Sequence, residues 1–228
     1  MMQNNQQRKN PINEFVVLSD FDGTIAEDLS IMIYKQFASV GMYYAQLWAQ
    51  GLISTPEELV ATFRTIDASP SQLADLIRQA QFDPDFPEFV RLCMDRGFEV
   101  AIVSDGLAWA IQTSLAQHGV HDVDIYANQI HFVDGAYQIS FPWRDDKCPH
   151  AGVCKSNVVA NFRMAGKRVI YIGDGRSDHD AVHAADIVYA KDQLFEYCRS
   201  EQVPAIPFQN FSDLVVSLNS GEFPLLTQ

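Results

Sequence analysis

Asp20 and Asp22, two positions apart in "VLSDFDGTIAED", stand directly behind an apolar run. Carboxylates this close repel each other unless a cation lies between them. Three later clusters supply what such a pair would need: Ser104 in "VSDG", Lys155 in "VCKSN", and Asp174 with Asp178 in "GDGRSD". One chemistry, phosphoryl transfer, uses them all. Asp20, Asp22 and Asp174 form an oxygen-only ligand set, which favours a hard ion such as Mg²⁺ over softer metals. With its charge screened, Asp20 is the nucleophile that attacks phosphorus and forms an aspartyl-phosphate. Asp22 then protonates the leaving alkoxide and later takes a proton from the attacking water. Lys155, at the start of a helix, faces the phosphoryl oxygens, and the Ser104 hydroxyl with the backbone amides of Asp105 and Gly106 completes a phosphate cradle. Asp178 joins the metal site by orienting a metal-bound water.

Taken singly, each residue has a plainer reading. Asp-Gly is a common turn pair, and a serine at a strand end or a lysine near a helix start is usually solvated. Their joint order along the chain is what one mechanism explains.

These residues need a scaffold that gathers distant segments. "FVVLS", "FEVAIVS", "RVIYIG" and "DIVYA" are short, continuous apolar runs rich in β-branched residues, as expected of strands buried on both faces of a parallel sheet. Helical patterns at residues 107–117, 157–165 and 178–184 alternate with them, which predicts an α/β, doubly wound, mostly parallel sheet. Three of the strands end in the polar clusters, and such sheets bind ligands at the carboxyl ends of their strands. Residues 26–82 interrupt the alternation and predict a small inserted helical cap on a core made of residues 11–25 and 83–228. Helices are expected through "LSIMIYKQFASV" and "MYYAQLWAQ". "TPEEL" then predicts a helix with Thr55 as N-cap, Pro56 next and Glu58 at the capping-box position, and "SPSQL" repeats the device with Ser69 and Gln72. The prolines of "FDPDFPEF" stiffen the return to the core. "IHFVDGAYQIS" predicts a β-hairpin turning at Asp134-Gly135.

With "DFDGT", "VSDG", Lys155 and "GDGRSD" in this order, the chain resembles the haloacid dehalogenase superfamily of phosphatases. The helical insertion is similar to the cap of its phosphoserine-phosphatase-like branch. The resemblance implies a Rossmann-like core, an Mg²⁺ cofactor, a small phosphorylated metabolite as partner, and metal contact by Asp22 through its backbone carbonyl. It also implies the same roles for Asp20 and Asp22 as the residues suggest. Two stretches, "CPHAGVCKSNVV" and "DIVYAKDQLFEYCRSEQVPAIPFQNFSDL", look like the methionine-salvage phosphatases that act on 2-hydroxy-3-keto-5-methylthiopentenyl-1-phosphate. A vertebrate group acting on phosphocholine, phosphoethanolamine and pyridoxal phosphate shares the cysteine–lysine feature. Phosphoserine phosphatases usually carry a glutamate some nine residues after the nucleophile, where this chain has Leu29 preceded by Glu27 and Asp28. Arg64 is a candidate for a substrate carboxylate, and Tyr43, Tyr44, Trp48 and Phe63 are candidates to line a pocket for an apolar tail. A phosphotransferase or mutase, or an inactive phosphate-binding module, are the rival classes.

Composition bounds the rest. The chain has 228 residues, 47% of them hydrophobic, enough for one large domain or one carrying an insertion. A net charge of −13 argues against a nucleic-acid partner, which needs clustered Lys and Arg. The stretch Met1 to Asn10 is polar and lacks an apolar secretory core, and no later run reaches the length of a membrane span. A cytoplasmic protein without a membrane partner is expected. Four scattered cysteines predict reduced thiols, with "KCPHAGVCK" read as a tight loop in preference to a zinc site. The histidines form no ligand pattern, and neither GxxxxGK[ST] nor a GxGxxG opening a βα unit is present.

Overall fold

The computed structural model describes residues 14–223. Residues 11–13 and 224–228 of the expected core, and the polar stretch at the start, lie outside the described residues.

The apolar runs form one seven-stranded sheet. Its strands are β1 (Phe15–Ser19), β2 (Glu99–Leu107), β3 (Asp124–Val133), β4 (Ala136–Ser140), β5 (Arg168–Gly173), β6 (Ile187–Ala190) and β7 (Ile206–Pro207), in the order β4-β3-β2-β1-β5-β6-β7. Every neighbouring pair is parallel except β3 with β4. β1 is central and buried along its whole length, which is why its sequence is an unbroken apolar run. Ser19 sits opposite Ile102 of β2 on one side and Ile172 of β5 on the other. The chain winds outward in both directions from β1, so a crevice opens at the carboxyl ends of β1 and β5.

Four helices are inserted after β1: α1 (Leu29–Phe37), α2 (Gly41–Ala49), α3 (Thr55–Phe63) and α4 (Pro70–Ile77). They enter and leave through a pinned neck, where Ala26 bridges both Asp22 and Phe82 and the Glu27 amide donates to the Gln81 carbonyl at 3.0 Å. The remaining helices are α5 (Phe86–Asp95), α6 (Ala108–Gln117), α7 (Lys155–Met164), α8 (His179–Val182), α9 (Asp192–Ser200) and α10 (Phe211–Ser220). One apolar layer packs Val17, Ile102, Ile170, Phe86 and Phe211 on one face of the sheet and continues without a break into Ile33, Leu59 and Phe63 of the inserted helices. The other layer joins Val16, Leu18, Val103 and Tyr171 to Val159 and Leu194. The insertion therefore shares a core with the sheet and is seated firmly above it.

Four local readings need correction. The capping box of α3 lies one residue earlier than expected: Ser54 accepts from the Glu57 amide, and Glu57 Oε2 accepts from the Ser54 amide at 2.8 Å. Thr55 is drawn away from a capping role, its hydroxyl accepting from Trp48 Nε1 at 3.0 Å and donating to Asp105 Oδ2 at 3.2 Å. β2 does not stop at Ser104; it runs on to Leu107 across a register break between Val103 and Leu107. The helix expected over 178–184 is divided into a 3₁₀ turn, Arg176–Asp178, and the single turn of α8, because the Asp178 side chain is tied back to the start of the segment. Finally, Cys148 and Cys154 form a disulfide with Cα atoms 5.4 Å apart, while Cys93 and Cys198 are free and buried. The hairpin turns where expected: Asp134 (φ 50°) and Gly135 (φ 79°) are both left-handed, as a tight two-residue turn requires.

Candidate active site

Asp20 is the first residue beyond β1, fixed where its amide donates to the Ile172 carbonyl of β5 at 2.8 Å. Its carboxylate meets Lys155 Nζ at 2.9 Å, and both side chains are almost wholly buried. Lys155 is the first residue of α7, reached through the loop that carries the disulfide. That loop is tied to the sheet by Asp105, whose Oδ1 accepts from the amides of Gly152 at 3.0 Å and Val153 at 2.7 Å. The ammonium donates further to Asp178 Oδ1 at 2.7 Å and Ser177 Oγ at 3.0 Å.

Asp174 follows β5 and accepts from the Thr24 hydroxyl at 2.6 Å. The turn after Asp20 makes this approach possible, since Gly23 is left-handed (φ 82°) and a β-carbon there would run into the Asp174 carboxylate. Asp22 Oδ1 accepts from the Leu29 amide at the start of α1 at 2.9 Å, and its Oδ2 accepts from Ser104 Oγ at 3.3 Å. Gly106 passes so near that an added β-carbon would lie 2.6 Å from Asp22 Oδ2.

Burial dominates the electrostatics. It pushes Asp20 well above the ordinary carboxylate range, with the charges of Asp178 and Asp174 adding to the rise and Lys155 opposing it. Burial, then the charge of Asp28, lifts Asp22 to about 7. Asp174 rises to about 6 through burial and the charge of Asp178, against the Thr24 hydrogen bond. Burial alone would lower Lys155, but Asp178 and Asp20 outweigh it and keep the ammonium firmly protonated. Oxygens of Asp20, Asp174 and Asp178 all lie within 4.8 Å of one another. So much negative charge around one lysine fits a second cation, and the hard oxygen donors suit Mg²⁺.

Asp20, Asp22, Ser104, Asp105, Gly106 and Asp174 all line one cavity of about 560 Å³, roofed by the inserted helices. Lys155 is not in that wall; it stands behind Asp20. Asp178 stands in the same acidic group as Asp20 and Asp174 and is also bound to the protein around it. It is fully buried, with Oδ1 taken by Lys155 and by the Tyr171 hydroxyl at 2.7 Å, and Oδ2 taken by the amides of Asp174 and Gly175. Its position makes it a support for Lys155 and for the Asp174 loop. The Gly106 amide departs from the expected cradle, since it donates to Ser104 Oγ at 2.9 Å. Among the aromatic candidates Trp48 reaches the cavity, whereas Phe63 is in the core and Tyr43 is exposed. Arg64 is exposed and does not line it.

Sequence reasoning missed Thr24, Tyr171, Tyr34 and Glu58. The first two hold the acidic groups in place, and the last two enter the cavity from α1 and α3. Tyr34 sits in an apolar helical pattern and reads as core, while Glu58 is absorbed by the misplaced capping box.

The fold and the four converging segments define a class of hydrolase. The model of haloacid dehalogenase-like hydrolases matches residues 17–183, and the chain belongs to that family. The 2-hydroxy-3-keto-5-methylthiopentenyl-1-phosphate phosphatase of Brevibacillus brevis is 30% identical over 209 residues, which cover 89% of this chain and 94% of that protein. The phosphatase of the same name from Exiguobacterium sibiricum is 29% identical over 215 residues, covering 90% of this chain and 97% of its own. Among solved structures, a phospho-aspartyl intermediate analogue of phosphoserine phosphatase superposes with a TM-score of 0.69 at 17% identity, covering 89% of this chain and 98% of that one. At that identity the likeness concerns the fold. No helix among the described residues is long and apolar enough to cross a membrane.

Proposed function

We propose that the protein is a cytoplasmic, Mg²⁺-dependent phosphomonoesterase, that Asp20 is its nucleophile, and that its substrate is 2-hydroxy-3-keto-5-methylthiopentenyl-1-phosphate. The observation that carries the reading is the position of Asp20. Its carboxylate ends the central strand, 2.9 Å from a buried lysine, in a cavity it shares with Asp22 and Asp174. The substrate follows from the names of relatives that match nearly end to end.

Asp20 and Asp174 have carboxylate oxygens left to hold the metal, with the Asp22 carbonyl as a further ligand. Bound there, the ion would neutralise the carboxylates and polarise the phosphoryl group. Asp20 attacks phosphorus, the ester P–O bond breaks, and the leaving oxygen takes a proton from Asp22. A pKa of about 7 leaves Asp22 protonated often enough to give that proton at neutral pH. The resulting aspartyl-phosphate lies within reach of the Lys155 ammonium, which stabilises its oxygens. Asp22, now ionised, draws a proton from the water that attacks phosphorus, and inorganic phosphate leaves with Asp20 regenerated. The buried setting and the helical roof exclude other water.

A panel of phosphorylated metabolites, assayed for phosphate release with and without Mg²⁺, tests the proposal. The 2-hydroxy-3-keto ester should lead phosphoserine, phosphoethanolamine, phosphocholine and pyridoxal phosphate. Asp20→Asn should lose activity by at least three orders of magnitude while keeping its circular dichroism spectrum; turnover within tenfold of wild type would rule out the covalent mechanism.

A further inference from the structure

Above the acidic crevice, the cavity wall is built by α1, α2 and α3, and its polar groups are unevenly matched. Glu58 is 7% exposed and Tyr34 is 2% exposed, yet both line the cavity. The Tyr34 hydroxyl is buried without a hydrogen-bond partner. Its charged neighbour is the Glu58 carboxylate. A buried hydroxyl left in this state is costly unless something else completes it. Neither serves the helix ends: the α3 capping box belongs to Ser54 and Glu57, and the α1 N-cap belongs to Asp28.

We propose that Glu58 and Tyr34 form the specificity receptor for the substrate carbons that follow the phosphate-bearing one, Glu58 accepting a substrate hydroxyl and Tyr34 donating to an adjacent carbonyl oxygen. This rests on the phosphatase reading above and deepens it. A 2-hydroxy-3-keto ester carries such a donor and acceptor on neighbouring carbons. The cap's own charged side chains in the cavity are Asp28 and Glu58, and the one arginine of the lining, Arg176, is engaged with the end of α2, its Nη1 donating to the Ala49 carbonyl at 2.8 Å. Ile31, Leu59 and Trp48 supply an apolar wall beside the pair, suited to a thioether tail. Burial, with Asp28 and Asp105 nearby, holds Glu58 near 7, so its carboxylate is available as an acceptor at and above neutral pH.

The test compares kcat/KM for a 2-hydroxy-3-keto-pentyl 1-phosphate with that for n-pentyl phosphate, in wild type, Tyr34→Phe and Glu58→Gln. The ratio of the two substrates is read within one preparation, so partial misfolding of a variant cancels. Wild type should favour the hydroxyketone ester by tenfold or more, and each variant should lose most of that preference while n-pentyl phosphate changes less than threefold. Inhibition by vanadate should be unchanged in both. A wild-type preference that survives in both variants overturns the receptor and leaves the phosphatase standing. Equal turnover of the two esters by wild type does the same. Preference for phosphoethanolamine that Glu58→Gln abolishes would make the pair a cation site and overturn the hydroxyl–carbonyl assignment. No turnover of any ester overturns the phosphatase reading itself, and the receptor with it.

Discussion

Removing the Lys155 ammonium would leave Asp20 and Asp178 facing each other in a buried site with no counter-charge between them. Lys155→Ala is therefore expected to lose at least two orders of magnitude in kcat/KM, in line with loss of a charge aimed at the transition state. It should also cost about 3–5 kcal/mol of stability, the usual penalty for orphaning a buried charge. Burial already holds Asp20 well above the ordinary carboxylate range, so the stability deficit should narrow as pH falls and Asp20 takes up a proton. Unchanged turnover together with unchanged vanadate inhibition would place Lys155 outside the reaction. Glu58 gives a separate titration. Its folded-state pKa, about 7, lies above the ordinary 4.5, so its contribution to stability is complete below pH 4.5 and is lost as pH rises through 7. Glu58→Gln should flatten the stability curve across that window by up to roughly 3 kcal/mol, measured by urea unfolding at a series of pH values.

The disulfide loop that delivers Lys155 to the crevice is held in more ways than by sulfur. Asp105 anchors the amides of Gly152 and Val153, and the Cys154 amide donates to the Trp143 carbonyl at 2.9 Å. These bonds remain when the sulfurs are separated. The double variant Cys148→Ser with Cys154→Ser should accordingly keep kcat/KM within about threefold, whereas Asp105→Ala, which frees two loop amides at once, should cost tenfold or more. If the serine variant loses activity and the alanine variant keeps it, the disulfide is the true anchor. The end of β2 admits equally little change. Its register break lets Gly106 slide beside Asp22, a position in which any side chain would displace the carboxylate.

Across the whole molecule, folding gathers Asp20, Asp22 and Asp174 against a single buried lysine. On the proposed function Mg²⁺ would bind the assembled site and not the unfolded chain, and would stabilise the fold by about 2.7 kcal/mol at a hundredfold excess over Kd. The melting temperature should rise with Mg²⁺ and again with beryllium fluoride, a phosphoryl mimic. Both increments should shrink in Asp174→Asn. Melting that ignores both additives across the millimolar range would reduce the paired aspartates to a strand-ending turn.

The sequence by itself determined the frame of this protein: buried parallel strands from β-branched runs, the Asp134-Gly135 hairpin, the inserted helices, and the polar clusters at strand ends. These are local matters of periodicity and backbone conformation, legible within about ten residues. The one-residue error at α3 had a local cause, since Ser54 and Thr55 are both good N-caps and "STPEE" offers two capping boxes in overlapping frames. Only packing resolved it, by engaging the Thr55 hydroxyl with Trp48 and Asp105 and turning Glu58 into the cavity. The partners of Asp178 were likewise decided in three dimensions. The spacing in "GDGRSD" suggests a metal helper, and only the fold brings Lys155, 23 residues earlier, and Tyr171 on β5 to its oxygen. Spacing along the chain restricts which neighbours a side chain can reach locally, but partners on other strands are set by register and burial, and those exist only once the sheet has formed.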